Sequence, residues 1–414
     1  MVENVKPKFF YGYIIGVAAF FNMAILGGTI YSFGVFFKPL LTEFGWTRAM
    51  TSGAYSLRSL VGGFLGIVAG RLNDKVGPRV VVTVCGFFLG LGYLLMSQIS
   101  AIWQLYLFYG VIVAIGVSGL WVPTVSTVSR WFVKRRGMVM GIVVSGIGFG
   151  TLIIPPLASW LISAYDWRTA YCILAIIASV LIILAAQFLR RDPTQMGQLP
   201  YGESGVKQQS PAIEAEGFSL REAIHTRQLW ILCAMLVCFG LCLQTIMVHI
   251  NPHATDLGIS AISAANILAI IGGASIAGRV MMGSAGDRIG NKAAIIICFV
   301  LLSVDLFWLQ LAEMVWMLYL FAAIFGFGYG GFIALMSPLV AELFGLSSHG
   351  IIFGVVNFSS VIGETVGPLL AGHIFDITSS YHLAFLFCIA LTVVGLILSS
   401  QLGPIISKGG TNDS

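Results

Sequence analysis

The sequence predicts an all-α membrane protein of twelve transmembrane helices, arranged as two six-helix bundles in a parallel pseudo-repeat. Three observations lead to this prediction. The 414 residues are 58% hydrophobic and only 9% charged, fewer charges than a soluble domain of this size carries. The apolar residues fall into twelve runs of about 20 or more, the length that a helix needs to cross a bilayer. The second half of the sequence also repeats glycines and charges of the first half at the same spacing.

The apolar runs fix the predicted domains. They cover 10–37, 48–71, 79–99, 103–129, 136–163, 168–190, 228–255, 261–284, 291–311, 316–342, 349–375 and 382–403. Between the sixth and seventh runs lies a polar stretch rich in Pro, Gly, Gln and Glu, with a short amphipathic helix predicted at 219–226. We therefore predict an N-terminal bundle (1–190), a cytoplasmic linker (191–227) and a C-terminal bundle (228–414).

The distribution of lysine and arginine predicts the orientation. With twelve spans and the N-terminus inside, seventeen of the 22 basic residues fall on the cytoplasmic side and three fall outside. The other two, Arg58 and Arg279, lie within spans. Because basic residues favour cytoplasmic loops, both termini are predicted to be cytoplasmic, in a multi-pass protein of the inner (plasma) membrane.

The internal repeat has a constant offset of 213 residues. Shifted by this amount, the first half places four residues of one charged turn and four later glycines or prolines onto equivalents in the second half. The pairs are Gly70/Gly283, Asp74/Asp287, Gly77/Gly290, Arg79/Lys292, Gly137/Gly350, Gly141/Gly354, Gly150/Gly363 and Pro155/Pro368. Two parallel six-span halves are typical of transporters whose halves rock about a site near the bilayer midplane.

The charged turns at 70–79 and 283–292 predict a conformational clamp. Asp74, Arg79, Asp287 and Arg136 are its candidate residues, on the predicted cytoplasmic side. Charge pairs there would hold one conformation and break during transport. The alternative is a set of basic loops without a switching role.

One arginine in an apolar run, Arg279, is the main candidate for ligand binding. An arginine within a membrane helix costs several kcal/mol unless it is paired, hydrated or snorkelled (roughly 2.5–3.5 on insertion scales). On a helix, Gly272, Ser275, Arg279 and Gly283 share one small, polar face, which indicates a docking point for an anionic substrate. The alternative is that Arg279, about one turn before the predicted end of its span, snorkels to the cytoplasmic interface.

These motifs resemble those of a known family. Gly70, Asp74, Gly77 and Arg79 resemble the loop signature of the major facilitator superfamily. The stretch RWFVKRRGMVMGIVVSGIGFG at 130–150 resembles the span 4–5 signature of monocarboxylate transporters and oxalate–formate antiporters. The resemblance covers the whole chain and implies the major facilitator fold. It also implies that Arg279 contacts the substrate carboxylate, as the arginine of span 8 does in that family.

The same resemblance leaves the proton-coupling group open, because Ser275 stands where the family has an aspartate. Glu364, near the middle of span 11, is one candidate, since a charged carboxylate at the midplane is costly and favours protonation. His249 and Asp256, near the outer end of span 7, form a second candidate. The alternatives are a permanently protonated Glu364 and an exposed helix end. For Asp305 we expect a packing role; for Arg58, a partner across the bundle or an outward snorkel.

Further candidate substrate contacts are polar, aromatic or glycine positions near the middle of the spans. Besides Arg279, Ser275 and His249, they are Gly28, Ser118, Trp121, Ser145, Phe149, Tyr329 and Asn357. An apolar cavity with one arginine favours a small organic anion with a short hydrophobic tail.

Together these features predict a secondary active transporter of small monocarboxylates such as lactate or pyruvate, driven by proton symport with alternating access. The alternatives are organic-anion exchange of the oxalate–formate type and a transporter-like sensor. The sequence shows no nucleotide-binding loop, catalytic triad or metal-ligand spacing, and its seven cysteines lie in apolar runs. We therefore expect no enzymatic activity, no cofactor and no nucleic-acid partner. The expected partners are an organic anion, protons and the lipid bilayer, with the monomer as functional unit.

Overall fold

A computed structural model describes residues 10–132, 136–201, 218–345 and 348–403. The N-terminal bundle contains α1 (Gly12–Phe44), α2 (Arg48–Val76), α3 (Pro78–Met96), α4 (Ile102–Trp131), α5 (Arg136–Ala164) and α6 (Trp167–Phe188). The C-terminal bundle contains α7 (Arg227–Asp256), α8 (Ala261–Ile289), α9 (Asn291–Leu309), α10 (Val315–Phe344), α11 (His349–Thr378) and α12 (His382–Ser400). The predicted all-α fold with twelve long helices is confirmed.

Eleven of the described helices are long and apolar enough to cross a membrane by these two measures alone. The twelfth, α2, is 29 residues long, but it is rich in serine and glycine and carries Arg58 in its first half. It packs against α4 within its own bundle and against α11 of the other bundle. Its polar character therefore reflects a position at the interface between the bundles.

The repeat seen in the sequence is also a repeat of backbone geometry. Gly77 ends α2 with φ 88°, and Gly290, its equivalent at the 213-residue offset, ends α8 with φ 87°. Such angles favour glycine, because a Cβ is strained there. Helix pairs repeat as well: α1 packs on α5 as α7 packs on α11, and α3 packs on α6 as α9 packs on α12. The two charged turns thus occupy equivalent places in the two bundles.

Close helix approach explains two of the repeated glycines. A Cβ added at Gly150 of α5 would overlap the backbone of Ala24 in α1, and a Cβ added at Gly363 of α11 would overlap the carbonyl of Val237 in α7. These two contacts are equivalent at the 213-residue offset. Small residues allow such packing in lipid, where van der Waals contact rather than water exclusion joins helices.

Outside the long helices, the predicted helix at 219–226 is present as Leu220–Ile224. Ser219 and Glu222 cap it reciprocally, because the backbone N–H of Glu222 donates to Ser219 and the N–H of Ser219 donates to Glu222. These hydrogen bonds lower the pKa of the Glu222 carboxyl. The remainder of the predicted linker, 202–217, lies outside the described residues, as do 1–9, 133–135, 346–347 and 404–414.

Candidate functional site

Arg279 lies deep in α8. The helix continues to Ile289, ten residues further on, or about 15 Å at 1.5 Å per residue. The predicted span end at 284 was therefore too early, and the arginine is nearly three turns from the end of its helix rather than one. Its side chain is 6% exposed. The snorkelling alternative assumed a helix end about one turn after Arg279, and the observed helix is longer than that.

Two hydroxyl groups hold the Arg279 guanidinium. Nη1 donates to Oγ of Ser275 at 3.2 Å, and Nη2 donates to Oη of Tyr329 at 3.2 Å. The serine hydroxyl in turn donates to the carbonyl of Gly272 at 2.7 Å. Nε has no hydrogen-bond partner, and Arg279 forms no ion pair, among the described residues. The site therefore contains a buried cation with neutral neighbours.

Three tyrosines lead from Arg279 toward the other bundle, and we call them the tyrosine belt: Tyr31 of α1, Tyr55 of α2 and Tyr329 of α10. The phenol of Tyr31 interacts with that of Tyr329, and it lies within electrostatic range of Tyr55 and Glu364. Tyr55 donates to Oε1 of Gln244 in α7 at 2.7 Å. The belt thus joins residues from both bundles.

Glu364 lies at the opposite end of the tyrosine belt from Arg279. Its carboxylate accepts a hydrogen bond from Ser360 at 3.1 Å and interacts with Gln244. Arg58 of α2 lies within electrostatic range of it. The two expectations for Arg58 were a partner across the bundle and an outward snorkel; the structure buries it, at 5% exposed, beside Tyr55 and Ser59 of its own helix.

His249 and Asp256 lie in a different place, at the outer end, by which we mean the end predicted to face outside. His249 is fully buried and hydrogen-bonded with Tyr381 and the carbonyl of Pro368, both at 2.9 Å, so it is not an exposed helix end. Asp256 forms an ion pair with Arg48 of α2 at 2.6 Å. His249 and Asp256 are linked only indirectly, since Arg48 also donates to the Tyr381 hydroxyl.

A second carboxylate, that of Asp376, contacts α2 in the same region. Asp376, near the end of α11, accepts hydrogen bonds from the backbone N–H groups of Arg48 and Ala49, at 2.9 and 2.8 Å. The Arg48 guanidinium also lies 3.6 Å from the ring centroid of Phe375. We call this cluster the outer gate; its members are Arg48, His249, Asp256, Asp376 and Tyr381. It joins the two bundles at their outer ends.

The remaining predicted substrate contacts are dispersed. Gly28 faces Ile154 and the carbonyl of Gly150, so it serves helix packing. Ser118 donates to the carbonyl of Ile115 and lies beside Cys85 of α3. The others are partly buried or exposed, outside the contacts described for Arg279: Trp121, Ser145, Phe149 and Asn357. Of the predicted substrate positions, the described contacts bring Ser275 and Tyr329 directly to Arg279.

Of the two charged turns in the predicted clamp, only the turn at 70–79 forms an ion pair among the described residues. Asp74 accepts from Arg130 of α4 at 2.8 Å, and Arg79 donates to Gln187 at 2.9 Å. Asp287 is exposed and forms no ion pair within the described residues. The side chain of Arg136 lies outside what the structure describes. Asp74 thus joins helices of its own bundle here, rather than the two bundles.

Glycine stripes show where the bundles meet and where they part. Gly148 of α5 faces Gly272 of α8, and Gly63 of α2 faces Val361 of α11. Toward the inner end, predicted to be cytoplasmic, the same helix faces continue at Gly137, Gly141, Gly350 and Gly354. A Cβ added at any of these four would meet no described atom within 4 Å. The bundles therefore touch from the outer gate to the middle and diverge toward the inner end.

A described cavity at the outer end is separate from this site. It has a volume of about 400 Å³ and is lined by residues of α1, α5, α6, α7 and α8, among them Lys38, Trp167 and Asn251. Arg279 and Glu364 are not among its lining residues.

Two residues of the site were not found in the sequence: Tyr55 and Gln244. Tyr55 is one of many polar side chains in α2, and Gln244 is an uncharged side chain in the apolar α7, so neither breaks a pattern. One signal was available for Gln244, which is the equivalent of Tyr31 at the 213-residue offset. Equivalent positions of parallel repeats face the same central site.

The comparisons with known proteins agree with this fold. A family model described as Major Facilitator Superfamily matches residues 18–284 and 245–404. Monocarboxylate transporter 13 of Rattus norvegicus is 28% identical over 95% of this chain and 90% of its own. Monocarboxylate transporter 12 of Mus musculus is 25% identical over 86% of this chain and 77% of its own.

Among solved structures, a bacterial homologue of the human lysosomal transporter Spinster, in an inward-facing and unoccupied conformation, superposes with a TM-score of 0.73. It is 15% identical and the match covers 95% of this chain and 96% of that one. This likeness concerns the fold alone.

Proposed function

Since the chain belongs to the major facilitator superfamily, a family of membrane transporters, we propose that it moves small monocarboxylates such as lactate or pyruvate by proton symport with alternating access. The observation that carries the proposal is the Arg279 guanidinium, 94% buried between hydroxyl groups without an ion pair among the described residues. The transporters named for monocarboxylates in rat and mouse support the substrate class.

The chemistry of Arg279 fits a carboxylate. A guanidinium stays charged at physiological pH and offers a planar fork that matches two carboxylate oxygens. Ser275 and Tyr329 hold the Nη atoms at 3.2 Å, a long distance for hydrogen bonds, so an incoming carboxylate can replace them. Because burying an unpaired charge costs free energy, a bound anion would remove part of that cost. Substrate binding would then be coupled to closure of the site.

Glu364 is the proton carrier in this proposal. It lies at the bundle interface, is partly buried, and has neutral hydrogen-bonding partners in Ser360 and Gln244. The tyrosine belt connects it to Arg279, and no other carboxylate of the described residues is among the groups in contact with the belt. Proton and substrate would thus occupy separate residues of one site. We place the protein in the plasma membrane as a monomer, with both termini in the cytoplasm.

The decisive experiment is binding of L-lactate and pyruvate to the purified protein and to Arg279→Lys. Lysine keeps the charge but loses the fork, so we expect affinity to fall by about 1–3 kcal/mol, the range for a charge-assisted hydrogen bond. Arg279→Ala should lose more. Arg288→Lys is the matched control, because Arg288 is exposed near the end of the same helix. Equal affinity of wild type and Arg279→Lys would contradict the proposal.

Uptake into proteoliposomes separates symport from exchange. A labelled carboxylate panel is offered with and without an inward proton gradient. Symport predicts accumulation that depends on the gradient, whereas exchange of the oxalate–formate type predicts uptake that depends only on an internal anion. Binding without either kind of flux would favour a sensor.

A further inference from the structure

We propose that the cavity at the outer end is a second anion site, which binds an organic carboxylate with a short apolar chain and thereby holds the two bundles together at that end. This site is separate from the proposed substrate position, because Arg279 does not line the cavity. The inference goes beyond the proposed function and holds whichever substrate the protein moves.

The cavity lies where helix ends of both bundles meet. Val35, Lys38 and Thr42 of α1 contribute one face of its last turns, and α7 contributes Asn251 and Thr255. The volume of about 400 Å³ is within the range of small-molecule sites, roughly 300–1,000 Å³. Lys38 and Thr42 are exposed, whereas Val35 and Asn251 are buried, so the cavity opens toward the water at the outer end. A molecule bound in it would contact both bundles at once.

Lys38 supplies the positive charge of the cavity. Its ammonium group has three N–H donors. Among the described residues, it donates to the carbonyl of Thr255 at 3.2 Å and lies 3.9 Å from a carboxylate oxygen of Asp256. Asp256 has a closer partner in Arg48, at 2.6 Å. Lys38 therefore keeps a donor and most of its charge available to a ligand.

The acid in the lining, Glu43, is already neutralised by its own bundle. One carboxylate oxygen accepts a hydrogen bond from Arg168, and the other accepts from the indole N–H of Trp167, both at 2.5 Å. Since both oxygens of Glu43 are occupied and Lys38 is only loosely paired, the charges of the cavity favour an anionic ligand over a cationic one.

Ser159 of α5 supplies a second polar group. Its side chain lines the cavity and is 1% exposed, and its hydroxyl has no hydrogen-bond partner among the described residues. The next serine of the helix, Ser163, instead donates to the carbonyl of Ser159 at 2.9 Å. Leaving a buried hydroxyl without a partner costs free energy, which a hydrogen bond to a carboxylate would offset.

Lys38 and Ser159 lie at similar depths. The first is six residues before Phe44, the last residue of α1, and the second is five residues before Ala164, the last residue of α5. Both helices end at the outer end, so one carboxylate can meet the ammonium group and the hydroxyl.

The apolar part of the lining indicates the rest of the ligand. Val35, Ile162 and Trp167 line the same cavity, and a carboxylate without a chain would leave them uncovered. Burying each CH₂ group of a chain strengthens binding by about fourfold. The expected ligand is therefore a carboxylate that carries several carbons.

Such a ligand would favour the present arrangement. Beside the cavity, the bundles are in contact: a Cβ added at Gly34 of α1 would lie 3.0 Å from the carbonyl of Val248 in α7, and Lys38 donates to Thr255. Opening of the outer end separates α1 from α7 and divides the site. A ligand that binds one conformation only stabilises that conformation, so this one should slow opening to the outside.

The first test is binding of labelled hexanoate to the purified protein that carries Arg279→Ala, which removes the proposed substrate site. We expect binding to be retained. Adding Lys38→Gln or Ser159→Ala should weaken it by roughly tenfold or more, as expected for a lost hydrogen bond to a charged group. Lys38→Arg should keep most of the affinity. Lys75→Gln, an exposed lysine at the inner end, is the control and should have no effect. Acetate and hexylammonium, which lack the chain and the negative charge, should compete poorly.

The second test uses the protein with Arg279 intact. An impermeant thiol reagent labels Ser52→Cys, a fully buried position at the outer end, with the native cysteines replaced. Hexanoate at ten times its Kd should slow labelling by about tenfold. Lys38→Gln should abolish this protection at the same concentration, and so should Ile162→Trp, which fills the cavity. Ile153→Trp, on an exposed position of the same helix outside the cavity, should keep it.

The results separate this site from the proposed function. Hexanoate binding that is lost in Arg279→Ala but unaffected by Lys38→Gln would assign the ligand to the substrate position and overturn the outer site, with the proposed function intact. Lactate binding that does not depend on Arg279, with hexanoate binding that depends on Lys38 and Ser159, would do the reverse. Protection of Ser52→Cys that persists in both Lys38→Gln and Ile162→Trp would also overturn the inference.

Discussion

At the scale of single residues, the sequence was most informative where one charge interrupts an apolar run. Arg279 stood out because an arginine in a membrane helix is costly, and the structure gives its guanidinium hydrogen bonds to Tyr329 and Ser275. The sequence misplaced the end of α8, however, since glycine and serine near 283–286 resemble a helix end but continue the helix here. Residue types along a sequence therefore locate a charged residue in an apolar run more reliably than they locate the end of a helix.

Residues without a charge were much harder to locate. Tyr55 and Gln244 were assigned to the site because they form a hydrogen bond of 2.7 Å across the bundle interface. The two positions are 189 residues apart in the sequence. Serines and glycines near a predicted midplane, such as Ser118 and Gly28, share the same local pattern but face neighbouring helices of their own bundle. The direction in which such a side chain points depends on tertiary packing, which a single sequence does not specify.

The residue that distinguishes symport from exchange is Glu364. We expect Glu364→Gln to lose accumulation of lactate against its gradient while it retains counterflow. Glutamine resembles the protonated acid in shape and still accepts the hydrogen bond from Ser360, but it cannot take up or release a proton. The measurement is uptake into proteoliposomes with an inward proton gradient, compared with counterflow at equal pH.

Thr151→Val offers a matched control for this variant. Thr151 is the equivalent of Glu364 at the 213-residue offset, and its hydroxyl donates to the carbonyl of Ile147 within its own helix. It should retain gradient-driven accumulation. Full accumulation by Glu364→Gln would move the search for a proton carrier to His249 and Asp256 in the outer gate.

At the scale of elements, the two charged turns differ in their partners although their backbones match. The turn after α2 is tied to α4 through Asp74 and Arg130, whereas Asp287 after α8 has no ion pair among the described residues. The partner of Asp74 is not repeated, because the equivalent of Arg130 at the 213-residue offset is Leu343. The sequence predicted the turns and their repeat, but the contact between a turn and a neighbouring helix depends on tertiary packing.

We expect Asp74→Asn and Asp287→Asn to slow lactate uptake while they leave lactate affinity within a few-fold of wild type. Both carboxylates lie at the inner end, away from Arg279, so they bias the conformations without touching substrate. Initial uptake rates and equilibrium binding to the purified variants check the two halves of this prediction separately.

Glu222→Gln is a suitable comparison, because this residue caps the short helix before α7 and glutamine keeps the capping geometry. It should behave as wild type in both measurements. Loss of binding in a folded Asp74→Asn protein would instead place the turn in the substrate pathway.

At the scale of the whole molecule, the interface between the bundles is symmetric in its helices but not in its chemistry. The α5–α8 contact and the α2–α11 contact are equivalent under the repeat, and both extend from the outer end to the middle. The groups that we assign to function break the symmetry: Arg279 is the equivalent of Gly66, and Glu364 of Thr151. Repeated glycines therefore provide the close helix packing that the two halves share, and unrepeated polar residues provide the site that we propose.

The outer gate is where this arrangement is held closed. Asp376 of α11 accepts from the first backbone N–H groups of α2, so a carboxylate of one bundle caps a helix of the other. A negative charge at a helix N-terminus is favourable, both through hydrogen bonds and through the helix dipole. This contact exists only while the bundles are joined at the outer end. Its free energy therefore favours the present arrangement over one that is open to the outside.

Removing this cap should shift the balance of conformations. We expect Asp376→Ala to cost the present arrangement about 1 kcal/mol, typical of a lost cap, and so to raise the population open to the outside about fivefold. The measurement is the rate at which an impermeant thiol reagent labels Ser52→Cys, a fully buried position beside His249, with the native cysteines replaced. Asp166→Ala is the control: Asp166 caps α6 at the same end, but within one bundle. It should leave the labelling rate unchanged, whereas an equal increase in both variants would mean that the caps stabilise the fold rather than one conformation.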